Sequence, residues 1–278
     1  MKLDKYALKV DRGEIMANRT GYYISCFKSI YDNKSITETE FRIIEDKSSK
    51  IVKLLKEIDY YPLVLMNCQE FNRYCETTLQ KRDNDFTNIN RLFSNLVNSF
   101  YMWIGYNERH YDTVFKELKG GFYDTDFCYR FLYNIRTYTA HNTLPITLIS
   151  TDILKCKVDV FTKVTDLTEK DSGINKKFRD ELIKMNIENI NIFNVTSDFS
   201  TDFGKWQIDL WNAIKPALDS DIMAINRIIP ISTPWFVNTY VYSPNKEGSV
   251  PIGHQIKELA DKSRLYNYNF LSCLSQNI

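Results

Sequence analysis

Residues 92–104 read Leu-Phe-Ser-Asn-Leu-Val-Asn-Ser-Phe-Tyr-Met-Trp-Ile. In this stretch Leu92, Phe93, Leu96, Val97, Phe100 and Ile104 recur at three- and four-residue intervals, which places them on one continuous apolar stripe of an α-helix. The same periodicity extends on both sides. Towards the N-terminus, Ser35 and Glu38 have capping-box spacing, and Phe41, Ile44, Ile51, Leu54, Leu55 and Ile58 follow in helical register. Pro62 ends or resets that helix, and a second helical run covers about Leu63 to Leu79 before the turn-like Arg82-Asp83-Asn84-Asp85. Towards the C-terminus, Gly120-Gly121 breaks the chain, and Asp124 or Thr125 can cap a further helix through Phe127, Phe131, Ile135 and Tyr138. Pro145 disfavours helix at Leu144, so that helix ends near Asn142.

Four successive amphipathic helices joined by short breaks predict a helical bundle, placed at residues 1–150. A second domain is expected over 151–278 and is mostly helical. It has helices over Ile174–Met185 and Lys205–Leu218, separated by the asparagine-rich stretch Asn186–Asn194. Thr233-Pro234-Trp235 and the run Phe236–Tyr242 have β-propensity, so this part adds a short β-hairpin or an extended arm, while His254 to Leu265 reads as helix. The expected class is mainly α. No internal repeat or low-complexity tract is evident.

Composition narrows the function classes. The 278 residues include 18 tyrosines and 17 phenylalanines, ample material for a packed core and unlike a disordered chain. Lys+Arg (36) and Asp+Glu (35) nearly cancel. This removes the global basic signature of a protein that grips long duplexes through many phosphates, so any nucleic-acid contact is local. The cysteines Cys26, Cys68, Cys75, Cys128, Cys156 and Cys273 form no CxxC pair and have no histidine at ligand spacing. They are expected to be reduced core residues, with no zinc site and no cofactor. The start, MKLDKYALKV, lacks an apolar signal-like run, and nothing approaches the roughly twenty apolar residues of a membrane helix. A cytoplasmic protein without membrane contact is expected.

Residues 127–141 carry the candidate chemistry. On a helical wheel, Phe127, Phe131, Ile135 and Tyr138 fall on one side. The opposite side carries Arg136 at one edge, Arg130 and His141 near the other, and Tyr133, Thr137 and Ala140 between them. Arg136 and His141 are separated by about 7.5 Å of axial rise and about 140° of rotation, so they do not touch as helix neighbours but can converge on one ligand. His141 falls in the final turn, where the helix dipole favours the imidazolium. A permanently charged planar fork beside a titrating imidazole suits phosphodiester chemistry. The arginine binds phosphate oxygens while the histidine moves protons, and no metal is needed. The competing reading is an arginine in a surface ion pair and a histidine that caps carbonyls at a helix end.

The segment Tyr129-Arg-Phe-Leu-Tyr-Asn-Ile-Arg-Thr-Tyr-Thr-Ala-His141, followed by Leu144-Pro145-Ile146, resembles the arginine-x4-6-histidine motif of the HEPN superfamily, here with x4 spacing. The resemblance covers the bundle from about 36 to 145. It implies a helical bundle that dimerises with two motifs facing each other, and a metal-independent endoribonuclease acting in toxin–antitoxin, CRISPR-linked or anti-phage defence systems. Arg136 and His141 are then the catalytic residues, and Thr137, Tyr133 and Arg130 bind substrate. The implied partners are RNA, a second copy of the chain, and an antitoxin or other defence protein. Cleavage through the ribose 2′-hydroxyl leaves 2′,3′-cyclic phosphate and 5′-hydroxyl ends. Where Asn, Asp or His often follows the motif arginine, this chain has Thr137. That departure supports an alternative: a catalytically inactive HEPN-type module that binds RNA, a nucleotide or a protein. The tyrosine two places beyond the histidine in the motif variant with nucleotidyltransferase partners is lacking.

Elsewhere, Asn107-Glu108-Arg109-His110-Tyr111 reads as a solvated helix end, His254 as a surface residue opening a helix, and Trp206 and Trp211 as core residues rather than base-stacking ones.

Overall fold

The computed structural model describes residues 23–26, 33–77, 86–141, 144–152, 157–229, 239–243 and 249–263. Among these residues helix predominates and the chain is mainly α. By compactness it divides into one unit of residues 1–55 with 216–278 and another of residues 56–215.

In the first unit, strands β1 (Tyr23–Cys26), β2 (Asn33–Ser35), β6 (Thr239–Tyr242) and β7 (Ser249–Val250) form an antiparallel sheet in the order β2-β1-β6-β7. Helix α8 (Ile252–Ser263) packs on β6. The unit also holds the first part of α1 (Glu38–Thr77) and the last part of α7 (Ile192–Ile228). Its core is aliphatic, with Ile44, Ile51, Ile222, Ile225, Val241, Ile252 and Leu259 fully buried. The partly buried Lys47 pairs with Asp221 at 2.8 Å, and that hydrogen bond holds its ammonium well above the usual lysine range. Ser48 hydrogen-bonds Gln255. Helix α1 opens with a capping box, but two residues later than the sequence spacing predicts. Thr37 Oγ1 accepts from Glu40 N (3.2 Å) and the Glu40 carboxylate accepts from Thr37 N (2.8 Å). Ser35 is held instead in β2, opposite Tyr23.

The second unit contains the rest of α1, then α2 (Phe86–His110), α3 (Asp112–Thr125), α4 (Phe127–His141), β3 (Leu148–Asp152), β4 (Lys157–Lys163), α5 (Val164–Thr168), α6 (Lys176–Met185), β5 (Asn189–Asn191) and the first part of α7. Strands β3, β4 and β5 form a second antiparallel sheet in that order, with Leu148 opposite Phe161 and Phe161 opposite Asn191. The α2 stripe is buried as its periodicity predicts: Leu92, Phe93, Leu96, Val97, Phe100 and Ile104 are all sequestered. Phe100 is surrounded by Trp103, Tyr129, Phe199, Phe203 and Trp206 at centroid distances of 5.2–6.2 Å. The Trp103 indole donates to Gln207 Oε1 at 2.8 Å within this cluster.

The helix boundaries differ from the sequence reading at several points. Pro62 neither ends nor resets a helix, because α1 runs for 40 residues through it. An internal proline forfeits one ladder bond and costs about 3 kcal/mol in a helix interior. Burial of Val64, Cys68 and Phe71 beyond it, and of Leu54 and Leu55 before it, holds the helix together. Gly120-Gly121 is likewise no break, as both glycines lie inside α3. The break falls at Tyr111, where α3 folds back and sets Phe115 edge-on against Trp103 at 5.3 Å. Helix α7 starts at Ile192 rather than Lys205 and passes through Pro216 for 37 residues in all. The β3–β4 pair was not anticipated. In the predicted β-prone run, residues 239–242 form β6, while 233–238 lie outside the described residues. The division expected near residue 150 passes through a shared core: α4 and the 192–215 part of α7 meet at Tyr129 and Trp206, and α4 meets α6 at Phe127 and Phe178.

Replacing Gln207 with leucine leaves the Trp103 N–H buried without that acceptor. The cost is about 1–3 kcal/mol, read as a lower urea midpoint at unchanged slope. An unchanged midpoint refutes a structural role for this bond.

Candidate functional site

Helix α4 begins where α3 ends. Asp126 caps it, its carboxylate accepting from Tyr129 N at 3.0 Å, so the cap is one or two residues beyond the predicted Asp124 or Thr125. Burial raises the Asp126 carboxyl above the usual aspartate range and the nearby Asp202 raises it further, while the backbone N–H of Tyr129 works in the opposite direction.

The helix is covered on more than its apolar side. Phe131, Ile135 and Tyr138 are buried, but so are Cys128, Tyr129, Leu132 and Asn134. Burial pushes the Cys128 thiol up to about 12, as it does for Cys68 and Cys75, which removes these cysteines as nucleophiles near neutral pH. Arg130 spans to α6, donating through Nε (2.9 Å) and Nη2 (2.8 Å) to Glu181 and through Nη1 to the Tyr123 carbonyl (2.7 Å). Its side chain is only 14% exposed. This bidentate pair commits Arg130 to holding α4 against α6. Asn134 adds a second tie, its Oδ1 accepting from Asn175 N at 3.2 Å just before α6. Beyond the motif, the buried Asn90 on α2 binds both backbone groups of Ile146, donating to its carbonyl (3.1 Å) and accepting from its N–H (3.0 Å).

Arg136 is differently placed. It is half-buried, and its Cζ lies 3.8 Å from the centroid of the Tyr101 ring on α2. Among the described residues no carboxylate pairs with it. Tyr101 meets Tyr133 at 6.5 Å, and Lys119 Nζ from α3 lies 4.9 Å from the Tyr133 centroid. Lys119 is ion-paired with Glu108. Burial pulls its ammonium down, but Glu108 and Tyr133 together hold it above the usual lysine range. Thr137 is half-buried and Ala140 exposed next to Arg136. His141 is the last residue of α4, and its side chain lies outside the described residues. Of the predicted site residues, Arg136 and Tyr133 therefore belong to one cluster, and Arg130 is bound elsewhere. Tyr101 and Lys119 join that cluster without having been singled out in the sequence. Nothing marks them there, since they reach it only through the packing of α2 and α3 beside α4.

A shallow open groove of about 470 Å³ adjoins this cluster at Lys119. Its charges are Glu108, Asp112 and Asp124 against Lys116 and Lys119. Three carboxylates to two ammoniums make it a poor anion site. The other candidates are structural. His110 packs on Tyr106 at 4.3 Å, and Asn107 in the same supposedly solvated helix end is fully buried and donates to the Trp103 carbonyl. His254 is exposed on α8, edge-on to Tyr240. Trp206 and Trp211 are buried.

Among the described residues no group of three or more His, Cys, Asp or Glu side chains is arranged to hold a metal ion. Likewise no helix among them is long and apolar enough to cross a membrane. No family model, curated protein or solved structure gives a significant match to the chain.

The Asp126 geometry makes a signed prediction. A carboxyl whose folded pKa is raised binds its proton more tightly folded than unfolded, so its stabilising contribution is present at low pH and is lost as pH rises through the carboxylate range. Asp126→Asn keeps a capping oxygen and removes the desolvated charge. Its stability relative to the native chain is expected to improve as pH goes from acid to neutral, whereas Asp126→Ala loses about 1 kcal/mol from the missing cap. Thermal melts of the three proteins across that range provide the check, and a stability difference for Asp126→Asn that does not vary with pH contradicts the assignment.

Proposed function

We propose that the chain is a HEPN-type, metal-independent endoribonuclease whose reaction is carried by Arg136 and His141. The observation that carries this reading is Arg136 itself: a half-buried guanidinium on a clamped helix, resting on a tyrosine ring, with no carboxylate partner among the described residues. A cation with no carboxylate to neutralise it can take an anion. A phosphodiester, with two oxygens that match the planar fork, is the natural complement. The R-x4-H motif at the end of a helix in a mainly α chain supports the same reading.

In this mechanism Arg136 binds the non-bridging oxygens of the scissile phosphate and stabilises the charge that builds as the ribose 2′-oxygen attacks phosphorus. His141 serves in proton transfer, between the 2′-hydroxyl that forms the new P–O bond and the 5′-oxygen that leaves. The products are a 2′,3′-cyclic phosphate and a 5′-hydroxyl. Two chains facing each other through the motif-bearing side of α4 would supply two such pairs, and a toxin or anti-phage effector role with an antitoxin or defence partner belongs to the same proposal. Thr137 offers a hydroxyl where an amide or carboxylate is usual, and an inactive RNA-, nucleotide- or protein-binding module is the reading that would replace this one.

Incubating the purified protein with total RNA in excess EDTA decides between them. The expected result is fragments with cyclic phosphate ends from the native chain, and a loss of about a hundredfold or more in Arg136→Ala and His141→Ala with folding intact. Cleavage that persists in both variants refutes the assignment. Absence of cleavage by the native chain, with RNA still bound, points to the inactive module.

A further inference from the structure

We propose that Tyr101 is a positioning residue that lays the Arg136 guanidinium flat, so that its outer face stacks an unpaired nucleobase of single-stranded RNA while its N–H edge takes the phosphate. The proposal rests on the reading of Arg136 as the phosphate ligand.

Three observations carry it. The first is distance. At 3.8 Å from the ring centroid, Arg136 Cζ is at carbon–carbon contact, the distance that a face-on guanidinium gives. In that arrangement Tyr101 covers one face of the cation, and the N–H edge and the second face are left for a ligand. The second is rigidity. Tyr101 is backed by Tyr133 at 6.5 Å, and Tyr133 is met edge-on by Tyr123 (5.9 Å, 88°) and capped by Lys119. The helix bearing Arg136 is tied down by Arg130–Glu181 and by Asn134. A side chain with large rotamer freedom is thereby ordered before any ligand arrives. The third is charge. With 36 basic and 35 acidic residues, and an adjoining groove that is more acidic than basic, counterion release from many phosphates cannot supply the affinity. Stacking on an arginine plane supplies affinity without net charge, tolerates any base, and requires that the base be unpaired. Duplex RNA keeps its bases stacked on one another and offers none to this face.

The test uses the full chain and a short single-stranded oligoribonucleotide, 2′-O-methylated so that it cannot be cut and carrying 2-aminopurine, together with the same sequence annealed to its complement. The native chain is expected to quench the fluorescent base on binding and to show only a shallow salt dependence. The duplex is expected to bind about tenfold more weakly or worse, Tyr101→Leu to raise the single-strand Kd about tenfold, and Tyr101→Phe to stay within about twofold of native. Arg136→Lys keeps the charge but has no planar face, and is expected to abolish the quench. If the native chain binds RNA without quenching or strand preference, or if Tyr101→Leu binds like the native chain, the stacking platform is overturned while the phosphate role of Arg136 stands. If it binds neither RNA, both are overturned. Should Tyr101→Leu not fold, the native fluorescence titration and Tyr101→Phe still decide.

Discussion

The burial of Phe100 and Trp103 on α2 is the constraint on which the 56–215 unit depends. Elements far apart in sequence meet at these two rings: Phe115 on α3, Tyr129 on α4, and Phe199, Phe203 and Trp206 on α7. Large rings remove the most apolar area from water, and edge-to-face pairs add orientation, so the cluster both stabilises the unit and sets how its helices cross. The only polar atom of the Trp103 side chain is matched by Gln207. Because one residue or the other of this pair touches α3, α4 and α7, chain breaks and helix lengths yield to it. The turn at Tyr111 has no capping side chain of its own and is explained by where it delivers Phe115.

The site follows from that packing. Helix α4 is pinned along the core by Tyr129, along α6 by Arg130 and Asn134, and beyond its C-terminal end through Asn90 and Ile146. Of the two arginines on this helix, one is consumed as a structural tie. The other rests on an aromatic ring, with no carboxylate partner among the described residues. The difference is entirely one of neighbours, since both belong to the same helix and the same sequence segment. A second cation, Lys119, shares the aromatic cluster but is compensated by Glu108, so the two positive groups are not equivalent in what they can bind.

Much was legible in advance. The α2 stripe, the mainly α class, the helix bearing the motif and the core placement of Trp206, Trp211 and three cysteines all follow from periodicity and side-chain chemistry, which act over one or two turns. The boundaries were less legible because local signals there compete with burial. Pro62 and Pro216 carry local penalties that long helices absorb, the Gly120-Gly121 pair is carried within the 14-residue α3, whose buried residues are Phe115 and Phe122, and Ser35 has the spacing of a cap but is drawn into β2 while Thr37 takes its place. The β3–β4 pair went unread because its strands are short, five and seven residues, and alternation over so few positions is a weaker signal than a helical stripe.

What the sequence determined by itself, then, is the mainly α class, the buried stripe of α2, and that Arg136 and His141 stand five residues apart at the end of one helix. Only the tertiary structure decided that Arg130 is bound to Glu181 and that Arg136 lies on Tyr101 instead. The physical reason is range. Helical periodicity is written in neighbours three and four residues away, whereas the partner of a charge is chosen by which distant helix packs beside it, and Tyr101 and Glu181 come from segments whose proximity to α4 no local pattern encodes.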